Sequence, residues 1–228
     1  MTRCELVKAA MAHEQTVKVP SCIHLAGDGW EKYADRLFDR YVTGDTRKLY
    51  DEGKLSRQHA IYYGMGNHVL CVSCPWWDWY DLPRSYYEDE DAPDYLPKTI
   101  GTGSYSKFVE TVRQLKEHTD AYVLVLIWGS HFEKAYFSRG IENFLADLAG
   151  ETEYAQRLLD FIIHKNMVML ENIVHTPGVD GILLGSDWGS QRDLMMSPAC
   201  WRELIAPGEQ QEYDLIKDLP EQYRQNMK

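Results

Sequence analysis

Tyr122-Val123-Leu124-Val125-Leu126-Ile127-Trp128-Gly129 is the stretch on which the fold turns. Its apolar side chains run without a break where a half-exposed strand would alternate with polar ones, and Gly closes it. Continuous hydrophobicity over a strand's length demands burial on both faces. That is the condition of a parallel strand with helices packed on either side of it. Similar short runs flank it. Asn67-His68-Val69-Leu70-Cys71-Val72-Ser73 lies before it, and Val179-Asp180-Gly181-Ile182-Leu183-Leu184-Gly185 after it. Val19-Pro20-Ser21-Cys22-Ile23-His24-Leu25-Ala26-Gly27 reads as a first strand closed by a Gly turn, which makes four.

Between the strands the apolar residues fall at helical spacing. Leu6, Val7, Ala10 and Met11 mark a helix over 4–11, and Tyr33, Leu37 and Tyr41 stand four apart within 30–41. Phe108, Val109, Val112 and Leu115 form the stripe of a helix that Ser104 or Ser106 would cap. Helices follow over 140–148, with Gly150 as its stop, and over 153–175, with Ala155, Leu158, Leu159, Ile162 and Ile163 on one side. Ser197-Pro198 opens another with a capping hydroxyl and a proline in the first turn. Alternation of strand and helix predicts an α/β fold with a parallel sheet. The stretch 75–83, with three Trp and a Tyr, and the acidic 88–94 form an excursion, an insertion around 75–100 in a single domain spanning 1–228.

The chain carries 24 Lys and Arg against 35 Asp and Glu, a net charge of −11, with no basic stretch, so nucleic acid and anionic membrane surfaces are excluded as partners. At 44 % hydrophobic residues there is ample material for a core. No apolar run reaches the length of a membrane span. Five scattered cysteines, and an N-terminal segment interrupted by Arg3, Lys8, His13 and Glu14, predict a cytoplasmic protein without a signal peptide.

In a parallel sheet the ligand site lies beyond the carboxyl ends of the strands. The residues there are His24, Gly27, Asp28 and Gly29; Ser73 and Cys74; Ser130, His131, Phe132 and Glu133; and Ser186, Asp187, Trp188 and Gln191. Asp187, a carboxylate directly after a buried run, is the foremost candidate, with turn formation as its structural alternative. His131 and Glu133 read as an acid/base pair or as polar pocket lining. Cys71 and Cys74 have metal-site spacing but no second pair, and read as small packing residues at a strand end. The Trp cluster is either a stacking platform or a lid packed on its own fold. The turns Gly27-Asp28-Gly29 and Gly101-Thr102-Gly103 lack the spacing of a phosphate-cradling loop.

The run from Asp180 to Gln191, followed by Met196-Ser197-Pro198, Trp201-Arg202 and Pro207, resembles the uroporphyrinogen decarboxylase superfamily, and the segment Trp128 to Gly140 and the Arg3 to Pro20 pattern agree. The resemblance implies a (β/α)8 TIM-barrel type fold, only the N-terminal half to two-thirds of which is present, since four strands at about 30 residues per unit fill half a barrel. After a helix over 209–217 the polar 219–226 supplies no further strand. The superfamily holds decarboxylases of porphyrin biosynthesis, which are carboxy-lyases, and corrinoid-linked methyltransferases that move a methyl group to a thiol or from an aryl ether. Tyr136, four before Gly140, matches the decarboxylase pattern. Ser186-Asp187-Trp188-Gly189-Ser190 interchanges its acid and hydroxyl, and His24-Leu25-Ala26-Gly27-Asp28 stands where its substrate-binding arginines belong.

The resemblance therefore implies the methyltransferase type, with uroporphyrinogen decarboxylase second and a non-catalytic, partner-binding or oligomerising fragment third. Asp187, Tyr136 and Glu133 would be catalytic, with His24, His131, Phe132, Trp188 and Gln191 binding a tetrapyrrole or a methylated corrinoid protein. No metal ligand is implied within this chain. Zinc and corrinoid belong to full-length relatives, whose zinc sits on a His-x-Cys motif and a later Cys that this sequence lacks.

Overall fold

In the computed structural model, which describes residues 1–73, 105–128 and 130–217, the apolar run becomes the central strand of a parallel sheet. The strands are β1 (Val69–Ser73), β2 (Tyr122–Ile127) and β3 (Gly181–Leu184), side by side in sequence order. Val69 pairs with Tyr122 and Ser73 with Leu126 at the two ends of the β1–β2 ladder, and Leu124 with Gly181 opens the β2–β3 ladder.

Helices make up most of the remainder. α1 (Arg3–Met11), α2 (Gly27–Tyr41), α3 (Gly44–Asp51) and α4 (Arg57–Gly64) precede β1, and α5 (Tyr105–His118) crosses from β1 to β2. Then α6 (His131–Arg139), α7 (Ile141–Gly150) and α8 (Thr152–Val174) lead to β3, and α9 (Pro198–Cys200), a π-helical turn (Trp201–Ile205) and α10 (Ala206–Lys217) end the described chain.

Local chemistry sets these boundaries. Thr2 accepts from the Glu5 N–H while the Glu5 carboxylate accepts from the Thr2 N–H, a capping box that starts α1. Ser56 and Ser197 do the same single-handedly for α4 and α9. The π turn has its cause in Pro207, which cannot donate to the Glu203 carbonyl and crowds it. The ladder shifts just before it, and the Ala206 N–H reaches back five residues to Trp201.

Leu70, Val72, Val123, Val125 and Ile127 are buried in the main core, together with Phe108, Val112 and Leu115 of α5 and with Leu158, Leu159 and Ile162 of α8. On the other face Val69 and Tyr122 meet Val7 of α1. Asp180, at the foot of β3, ties these layers. Its buried carboxylate accepts from the Val123 N–H at 2.9 Å and pairs with Lys116 at 2.7 Å and Lys8 at 3.2 Å.

The barrel expectation is overturned. Among the described residues the sheet has three strands and is open, and they form neither a (β/α)8 barrel nor half to two-thirds of one. The difference lies at 19–27. That segment has no regular secondary structure and builds no ladder, with Val19 and Ile23 exposed, and its last residue starts α2 instead of closing a turn. Its backbone is fastened to side chains: Ser21 N–H to His68 Nδ1, Ile23 N–H to Asn67 Oδ1 and Leu25 N–H to the Tyr62 hydroxyl. Donors satisfied in this way have no need of a neighbouring strand. The insertion expected around 75–100, the turn at 101–103, Ser104 and the polar 219–226 lie outside the described residues; Ser106 falls inside α5 and does not cap it. No described helix is long and apolar enough to cross a membrane.

Candidate functional site

Segment 19–26 runs beside β1, and their carboxyl ends, with the start of α5, enclose a cavity of about 470 Å³. His24, His59, Cys71, Ser73, Lys107 and Thr111 give it polar groups, and Phe108 and Leu126 apolar walls. It lies beyond the strand ends, where a parallel sheet places its ligands, and its volume suits a small organic molecule.

Each wall is held. His59, buried between the cavity and the core, donates from Nε2 to the Cys71 carbonyl at 3.0 Å and accepts at Nδ1 from the Ser56 hydroxyl at 3.0 Å. Burial lowers its pKa, which favours the neutral ring that holds β1 at the Cys71 carbonyl. His24 rests tilted against the Tyr62 ring, with centroids 5.3 Å apart. Asn67, at the foot of β1, donates to the Ile23 carbonyl and accepts from the Ile23 N–H.

Cys71 lines the cavity, and Cys22 Sγ stands 3.9 Å from its Sγ. The hydrogen bond between them lowers Cys22 to about 7 against the opposing effect of burial. The same bond, with burial added, raises Cys71. One sulfur of the pair is therefore available as a thiolate near neutral pH while the other keeps its proton. The His24 ring nitrogen completes a group of three soft or borderline donors, all within 4.8 Å of one another.

The residues singled out in the sequence scatter. His24 lies at the cavity. His131 and Phe132 are fully buried in α6: Phe132 packs on Tyr136 and Phe144, and His131 donates from Nε2 to the Ile205 carbonyl at 3.0 Å. Burial lowers His131 to about 4, so its ring is neutral, and its contacts run to Ile205 and Glu212. Glu133 instead accepts from the Tyr136 hydroxyl at 3.0 Å, an i, i+3 contact on one helix face. Trp188 packs on Trp201 at 5.2 Å, and Asp187 and Gln191 are exposed. Asp187 follows β3, but neither it nor Glu133 lines the cavity at the end of β1.

Cys22 escaped the sequence reading, and Cys71 was paired there with Cys74, which lies outside the described residues. The available signal was Cys22-Ile23-His24, two donors one residue apart in a stretch that reads as a strand, where alternate residues share a face. Comparison with known protein families, with curated proteins and with solved structures finds no match to this chain.

Proposed function

We propose that this protein transfers a methyl group to a thiol, as methyltransferase-type members of the uroporphyrinogen decarboxylase superfamily do, and that the cavity at the carboxyl end of β1 is where it does so. One observation carries the reading: Cys71 and His24 line that cavity, and Cys22, its thiol lowered to about 7, stands 3.9 Å from the Cys71 sulfur and close to the imidazole. In the reaction a thiolate sulfur attacks the methyl carbon of the donor. The S–C bond forms as the bond to the donor breaks, both electrons of that bond leave on the donor, and the thiol proton passes to solvent. Phe108 and Leu126 give the methyl group an apolar wall, and Ser73 and Thr111 offer hydroxyls to a polar part of the acceptor.

Charge sets the decarboxylase alternative second. A polycarboxylate porphyrinogen needs several cations, whereas Lys107 is the one Lys or Arg among the described residues lining this cavity and the chain carries −11 overall. The test is incubation of the reduced chain with methylcobalamin and a small thiol. Appearance of the methyl thioether with consumption of methylcobalamin is expected, and loss of carboxylates from uroporphyrinogen in a parallel reaction would reverse the ranking.

A further inference from the structure

The donors at the rim come from two segments whose geometry is fixed independently of any ligand. Cys22 and His24, two apart in the chain, bring their donor atoms within 4.8 Å of each other and of Cys71. Cys71 sits on β1 at the place where the His59 ring holds its carbonyl. The backbone on either side of the pair is pinned at Ser21, Ile23 and Leu25 by His68, Asn67 and Tyr62, and the Tyr62 ring also backs the imidazole. Ordering these donors therefore costs little when something binds to them.

The sulfur separation fits a shared metal ion. A disulfide requires its sulfurs at about 2.05 Å. Two thiolates on one four-coordinate zinc, at about 2.3 Å each and near the tetrahedral angle, stand about 3.8 Å apart. The observed separation is 3.9 Å. Thiolate and imidazole donors are those that zinc prefers and that magnesium and calcium do not.

The geometry points to a zinc site formed by Cys22 Sγ, Cys71 Sγ and a ring nitrogen of His24, with its fourth position facing the cavity. Three protein ligands and one open position make the catalytic class of zinc site. His24 and Cys71 both line the cavity, and Cys22 and His24 are accessible from solvent, so an acceptor thiol can reach the open position. A thiol bound there is held deprotonated at neutral pH. The inference deepens the proposed methyl transfer and rests on it only for the use made of the ion; metal binding stands on the three side chains.

The full chain, reduced and freed of metal, is titrated with cobalt(II) and then with zinc. Expected are about one ion per chain, thiolate-to-cobalt charge-transfer absorption, and its loss as zinc displaces cobalt. Cys22→Ser and His24→Asn, both at exposed positions and checked for folding by circular dichroism, each weaken zinc binding by about a hundredfold, while Cys200→Ser leaves it unchanged. Failure to bind zinc, binding that both variants leave intact, or ready Cys22–Cys71 disulfide formation that zinc does not prevent would overturn the site. Zinc bound at this site without methyl transfer upholds it and counts against the reaction; methyl transfer by a chain that holds no zinc does the opposite.

Discussion

Replacing Asp180 with alanine strikes the point where β3, β2, α1 and α5 are tied together. The carboxylate is 1 % exposed and accepts from the buried Val123 N–H at 2.9 Å. Alanine leaves that donor without its side-chain acceptor, at a cost of about 1–3 kcal/mol. The ion pairs add less, because the Lys8 and Lys116 side chains keep 21 % and 31 % of their exposure and can turn to water. At about 0.5–1 kcal/mol for each pair, the total comes to about 2–5 kcal/mol. Asp180→Asn separates the two contributions, since its amide oxygen still accepts from Val123 while the charge is gone, and it should cost only about 1–2 kcal/mol. Equilibrium urea denaturation followed by circular dichroism, compared at equal slopes, measures both. An alanine variant within about 1 kcal/mol of the parent, or an asparagine variant as unstable as the alanine one, would refute this division.

Gly64 packs so closely on the Tyr41 carbonyl that no Cβ fits between them, so Gly64→Ala should push α4 off the end of α2 and cost about 1–3 kcal/mol in the same denaturation assay. Glu209 is held at about 7 by burial, with the charge of Glu212 adding to it. A carboxyl raised in the folded state favours folding when protonated. Its stabilising effect is complete below its ordinary 4.5 and is lost as pH rises through about 7. Relative to Glu209→Gln, the parent should lose about 2 kcal/mol between those limits after allowance for solvent screening, and parallel melting curves across that range would contradict it. At the site, Cys71→Ala should abolish methyl transfer, while Glu133→Gln and Asp187→Asn, whose side chains do not line the cavity, should change the rate less than about threefold.

The sheet was legible wherever a run of apolar residues had to be buried on both faces. β1, β2 and β3 lie inside the stretches read as strands, α8 follows its apolar stripe, and α5 buries Phe108, Val112 and Leu115 while Val109 of the expected stripe is exposed. At 19–27 the same kind of composition misled, because hydrophobicity says nothing of where a backbone's hydrogen bonds go. Here His68, Asn67 and Tyr62 take the place of a neighbouring strand, and the strand count that suggested half a barrel falls with it. His131 shows a second limit. It stands just beyond a strand end in the sequence, yet α6 turns it inward to the Ile205 carbonyl, and Ser130, its neighbour, donates to the buried Glu212. Position along the chain locates the end of the sheet and leaves open which side chains face the cavity. The meeting of Cys22 with Cys71 spans 49 residues and no local pattern signals it.

Transfer of a methyl group to a thiol at the rim of the β1 cavity is tested most directly by product analysis. The reduced chain, with zinc supplied, is incubated with methylcobalamin and a small thiol, and methyl thioether is quantified by mass spectrometry against the Cys71→Ala variant. Thioether formed by the parent and reduced to background by the variant is the expected result. Equal amounts from both, or none from either, would contradict the assignment of this cavity to thiol methylation.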